Sequence, residues 1–117
     1  MQLDHERLHV YQHALSFLVF ADGILHELPK GRGHLADQLT RASISIALNI
    51  AEGAGKRSRL DKRRYYLTAR GSATESAALL DIFCRLQLVD ERKRITGRDM
   101  LIRIVSMLVK LAESLEG

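Results

Sequence analysis

The stretch from Leu35 to Gly53 reads as a helix with apolar residues on nearly every side, and such a helix has to be covered on nearly every side. Leu35, Leu39, Ala42, Ile46, Ile50 and Gly53 form one line at helical spacing, while Ile44, Ala47, Leu48 and Ala51 occupy much of the remaining circumference. With 117 residues the chain makes one domain, residues 1–117, large enough for a hydrophobic core without disulfides or metal. A bundle of this size hides only one side of each helix. The other side of this one is therefore expected against a second subunit.

Periodicity predicts three more helices around it, and the only proline, Pro29, leaves long windows in which to read them. The first runs from between Asp4 and Leu8, with Asp4 one possible cap, to about Leu28. Leu8, Tyr11, Leu15, Leu18 and Leu25 make one apolar line on it, and Val10, Ala14, Phe17, Ala21, Ile24 and Leu28 a second. Pro29, Gly31 and Gly33 form the turn into the second helix, about His34 to Ala54, which Gly53 and Gly55 close. Ser58 caps the third, with Asp61 three residues on, and that helix continues to about Leu88. A polar connection, Asp90 to Arg94, leads to the fourth, from about Gly97 to Leu115, with Thr96 and Asp99 as its capping pair. The expected fold is all-α, an antiparallel up-down-up-down four-helix bundle.

Charge is concentrated rather than spread. Residues 54–70 hold seven Lys/Arg against one acidic residue, whereas the segments on either side are close to neutral or slightly acidic. Placed at about 100° per residue, the third helix divides into two faces. Leu60, Arg64, Leu67, Gly71, Glu75, Ala78, Ile82 and Leu86 share an arc assigned to the core, and Arg59, Lys62, Arg63, Tyr66 and Arg70 lie opposite. Together with Lys56 and Arg57 in the preceding turn, the second group could neutralise phosphates while Tyr66 stacks on an exposed base. The plainer reading is a solvated face, but solvated faces usually mix both signs.

The remaining polar groups read as packing devices. Arg64, on the core arc, is expected to pair with Glu52 or Glu75. Arg41, Ser45, Asn49 and Glu52 follow helical spacing and form a polar stripe that can fix the register of helices or subunits. Paired carboxylates could also do acid–base work, yet no histidine, nucleophile or pocket is evident beside them. His5, His9 and His13 recur every four residues, but a metal site needs further ligands, so an exposed stripe is the simpler account. Gly53-Ala54-Gly55-Lys56 follows a helix, which is the wrong context for a phosphate loop. No catalytic residue, metal or cofactor is expected. Cys84 is alone and cannot form an internal disulfide, the N-terminus lacks a signal peptide, and no apolar run approaches a membrane span, so the cytoplasm is the expected location.

Three motifs together carry a resemblance. Val10-Tyr11-Gln12-x-Ala14, Asn49-Ile50-Ala51-Glu52-Gly53-x-Gly55-Lys56-Arg57-Ser58 with Arg41 to Ile46 before it, and Ala69-Arg70-Gly71-Ser72-x-x-Glu75 resemble small bacterial four-helix-bundle proteins encoded in intervening sequences of 23S ribosomal RNA genes. Relatives of that family serve as the accessory variability determinant of diversity-generating retroelements. The resemblance spans about residues 6 to 90 and implies a ring-like homopentamer whose basic surface binds nucleic acid and, in the retroelement relatives, a reverse transcriptase. No enzymatic activity is implied. Carried over by motif, Asn49, Glu52, Gly71 and Glu75 would be structural, and Lys56, Arg57, Arg59, Lys62, Arg63 and Arg70 would belong to the basic surface. The chain departs from the pattern with Ala47 in place of Pro and Lys62 in place of an apolar residue.

The combined expectation is a non-enzymatic homo-oligomer that binds structured RNA through the third helix. The alternative is a protein-interaction scaffold whose basic face meets an acidic partner such as a reverse transcriptase.

Overall fold

The computed structural model describes residues 1–116. A short 3-10 turn, Asp4–Arg7, precedes four helices: α1 (His9–Glu27), α2 (Gly33–Ala54), α3 (Arg59–Arg85) and α4 (Glu91–Ser114). No strand occurs among the described residues. Each helix packs on its neighbour in the chain, and α1 also meets α4, which closes the bundle. The core holds Val10, Ala14, Phe17, Ala21 and Ile24 of α1, with Leu39, Ile46 and Ile50 of α2, Leu80 and Phe83 of α3, and Leu101, Ile104 and Leu108 of α4. Of the two lines on α1, the one through Phe17 is the buried one, and Leu8, Tyr11, Leu15 and Leu25 pack around it half-buried.

Two expectations about helix starts need correcting. Asp4 opens the 3-10 turn and does not cap α1, whose N-cap is Leu8. The polar segment Asp90 to Arg94 is not a connection: Asp90 is the N-cap of α4, and its Oδ1 accepts from the Lys93 N–H at 2.8 Å. The first turn of α4 is polar because it faces solvent and ion-pair partners, so polarity there mimicked a loop.

Those partners tie α4 to the end of α3. Arg94 donates from Nε to Glu91 Oε2 at 2.9 Å and from Nη1 to Asp81 Oδ1 at 3.2 Å, while Cys84 Sγ donates to Glu91 Oε2 at 3.3 Å. The Arg94 hydrogen bond, then that from Cys84, holds the Glu91 carboxyl down at about 2. A carboxyl depressed in the folded state adds stability that is complete above its ordinary 4.5 and is lost as pH falls towards 2. The urea midpoint of the wild type is thus expected to fall across that window, and Glu91→Gln should flatten the fall. Equal acid limbs for the two proteins would remove Glu91 from the account.

The largest correction concerns α3, which is turned so that the arc assigned to the core faces outwards. Tyr66, Ala69, Ala73, Ser76, Leu79, Leu80 and Phe83 are its buried residues. Leu60 is 75% exposed, and Arg64, Gly71, Glu75, Ala78, Ile82 and Leu86 are exposed with it. The outward arc carries many aliphatic carbons, but it also carries Arg64 and Glu75. Burying either charge without a good partner costs several kcal/mol, about what a large side chain gains by burial. The observed phase places small residues, Ala69 and Ala73, where α3 is most crowded and leaves the charges in water. Buried Ser76 is satisfied by donating to the Ser72 carbonyl at 2.9 Å.

Candidate nucleic-acid interface

The basic segment forms the turn after α2 and the first three turns of α3, beside the C-terminal ends of two other helices. Carbonyls left free at a helix C-terminus carry partial negative charge and attract cations. Lys62 Nζ donates to the Ala54 carbonyl at 2.8 Å and the Gly53 carbonyl at 3.4 Å, which closes α2. Arg59 Nη2 donates to the Ser114 carbonyl at 2.8 Å, and Arg63 Nη2 lies 3.1 Å from Glu116 Oε1, which together hold the end of α4. Arg63 is half-buried, and its Nε has no hydrogen-bond partner. Part of the charge excess read from the sequence therefore serves helix ends. Lys62, read as strengthening a solvent-facing basic surface, is instead a helix cap.

Tyr66 is a second correction, since it is only 4% exposed and packs against Gly53, so it cannot stack on a base from solution. Its hydroxyl is harder to ionise than usual, through burial and then the charge of Asp4. The aromatic ring among cations at the surface is Tyr65, which was missed. Lys56 Nζ lies 5.3 Å from its centre and the Arg64 guanidinium 5.8 Å. The right helical phase, read from Ala69, Ala73, Leu80 and Phe83, would have separated the two adjacent tyrosines.

What remains open to a ligand is a ridge. Arg57 and Arg70 are exposed and join no ion pair among the described residues, and Arg59 is exposed with only a carbonyl as partner. Arg59, Arg63 and Arg70 lie within about 40° on α3 over about three turns, roughly 16 Å. Beside them α3 and α4 form a cleft of about 270 Å³ between Ala73 and Ala77 on one wall and Leu101 and Val105 on the other. Arg98 of α4 lines the same cleft, a cation that only tertiary structure brings beside α3. Lys56 is less available, with Nζ 3.7 Å from Glu52 Oε2.

The five residues expected to form a structural polar network are not joined into one within the chain. Asn49 Nδ2 donates to the Ser45 carbonyl at 2.8 Å and to Ser45 Oγ at 2.9 Å, and Ser45 Oγ lies 2.8 Å from Ser72 Oγ across the α2–α3 seam. Arg64 pairs with Asp61 at 3.4 Å, not with Glu52 or Glu75, because it points away from the core. Arg41 and Glu75 are exposed and join no ion pair among the described residues. His5 lies in the 3-10 turn with its ring edge-on to Tyr11 at 4.6 Å, out of line with His9 and His13. Among the described residues no group of three or more His, Cys, Asp or Glu could hold a metal ion, and no helix is long and apolar enough to cross a membrane.

Fold and site together define a small all-α four-helix bundle with a cationic ridge along its third helix. The model of the 23S rRNA-intervening sequence protein family matches residues 6–110, and the chain belongs to that family. The match takes in most of α4, beyond the reach of the sequence motifs. The bundle is similar to the crystal structure of a protein with unknown function from the S23 ribosomal protein family of Bacteroides thetaiotaomicron. The TM-score is 0.82 at 21% identity, covering 89% of this chain and 98% of that one, a likeness of fold. No protein of curated function matches the chain.

Proposed function

We propose that this chain is a non-enzymatic, cytoplasmic nucleic-acid-binding protein, an antiparallel up-down-up-down protomer of a homo-oligomer, with a ring of five as the assembly the family resemblance implies. Structured RNA is the proposed ligand, held by its phosphates. The reading is carried by the ridge of Arg57, Arg59 and Arg70, exposed cations of the most basic segment of the chain that join no ion pair among the described residues. Arg98 lines the cleft beside the ridge, while Lys62 and Arg63 belong mainly to the fold.

Counterion release gives the test. Affinity for a fluorescent hairpin RNA is expected to fall with salt on a log–log slope of about −0.7 to −0.9 for each phosphate neutralised. An Arg57→Glu, Arg59→Glu, Arg70→Glu variant of unchanged helicity and size should lose about 100-fold in affinity at moderate salt and about two to three of slope. A wild type that ignores RNA at low salt, or a variant that binds equally well, overturns the reading. The ridge would then belong to an acidic protein partner such as a reverse transcriptase.

A further inference from the structure

A groove in the seam between α1 and α4 takes no part in the ridge. It encloses about 390 Å³ between the start of α1 and the last two turns of α4, and Leu8, Val10, Met107 and Leu111 form its floor. Leu8, Met107 and Leu111 are half-buried, packed on the core from one side and open to the groove on the other. Arg7, His9 and Lys110 stand around that floor, all exposed. Arg7 Nε donates to the neutral Gln2 Oε1 at 3.3 Å, and none of the three joins an ion pair among the described residues.

The clefts around the start of α4 show the contrast. They too hold cations, Lys93 and Arg94, but Glu27, Asp81 and Glu91 stand beside them and pair with them. No acidic side chain lines the groove between α1 and α4, and the first turn of α1 contains none. An apolar floor edged by unanswered cations is complementary to an anion that carries hydrocarbon.

The lining narrows the class further. Nucleobases stack on aromatic side chains, and the groove has no Phe, Tyr or Trp. Its one hydroxyl, on Ser114, already donates to the Leu111 carbonyl at 2.7 Å. A partner helix, about 10–12 Å across, needs anchors over two turns or more, whereas this floor is four side chains. The volume suits a small ligand, since such sites run from about 300 to 1,000 Å³. We propose that the groove binds a fatty carboxylate, with its chain over Leu8, Met107 and Leu111 and its carboxylate against Arg7 and Lys110, with His9 as a further donor.

Titration of the full chain with decanoate below its micelle concentration tests this, read by calorimetry and by the methionine methyl resonances. The Met107 signal should shift saturably while that of Met100, which does not line the groove, stays in place. Affinity should rise at least about tenfold from hexanoate to decanoate, since each buried methylene contributes up to about fourfold. Decyltrimethylammonium, the same chain on a cation, should bind at least about tenfold more weakly. The double variant Arg7→Glu, Lys110→Glu should reverse that preference, and helicity should hold because both side chains are exposed. A Met107 signal that does not move, an affinity indifferent to chain length, or a double variant that keeps the wild-type preference overturns the proposal. So does a Met107 shift on concentrating the protein alone, which gives the groove to a second copy. A shift produced only by phosphatidylglycerol vesicles, or only by an acidic helical peptide, overturns it as well and gives the groove to a membrane or a protein.

Discussion

Replacing Phe83 with Ala is expected to lower the unfolding free energy by about 3–5 kcal/mol, whereas Leu60→Ser should change it by no more than about 0.5 kcal/mol. Phe83 is fully buried in α3 and belongs to the core shared by all four helices. Truncation there removes the transfer free energy of an aromatic ring and leaves a cavity that helices held by their neighbours cannot close. Tyr66→Ala should cost a similar amount, since that ring fills the space over Gly53 at the other end of α3. Leu60 sits in the first turn, mostly in solvent, with little to lose. Urea unfolding at one fixed protein concentration gives the comparison, because association would otherwise shift the midpoints. A large loss at Leu60 with a small one at Phe83 would mean that α3 is turned the other way, and the ridge and the capped helix ends would fall with it.

The rotation of α3 marks where the sequence stopped being legible. Element existence followed from spacing, since each helix has an apolar period and a turn signal before it. The excess of apolar surface on α2 was equally visible, and Ile44 and Leu48 remain exposed in the single chain. On α3, counting aliphatic residues favoured the arc with Leu60, Ile82 and Leu86, although it contains Arg64, paired only with Asp61 at the surface, and Glu75, which joins no ion pair among the described residues. The deciding quantity was the desolvation cost of Arg64 and Glu75, which periodicity does not weigh. The same gap hid the double use of the basic segment. A count of seven cations against one acid shows an excess, but only the convergence of the α2 and α4 ends shows that Lys62 and Arg59 answer to carbonyls inside the chain. Arg98 and Tyr65 were hidden for related reasons, one by tertiary distance and one by phase.

Gly97→Val should destabilise the protein by about 3 kcal/mol, most of it from overpacking. Gly97 is buried on the face of α4 that meets both α1 and α3. A Cβ at this position would stand 2.5 Å from Leu80 Cδ1 and 2.8 Å from Phe20 Cε2, closer than atoms can settle without movement. Alanine adds that one carbon while improving helix propensity by about 1 kcal/mol, so Gly97→Ala should fall well short of the valine loss, near neutrality if Leu80 and Phe20 can shift. Valine adds two further methyls, in a helix that restricts its rotamers, to a Cβ that already presses on Leu80 and Phe20. Leu80 is itself fully buried, so room for the valine methyls has to come from half-buried Phe20 or from an outward shift of α4. Thermal and urea unfolding of the two variants would show the ordering Gly97, then Ala, then Val. A valine variant within about 1 kcal/mol of wild type would mean that α4 does not press so closely on its neighbours. Close packing at this glycine fixes the line of α4 along α3, and with it the distance from Arg98 to the cations of the ridge.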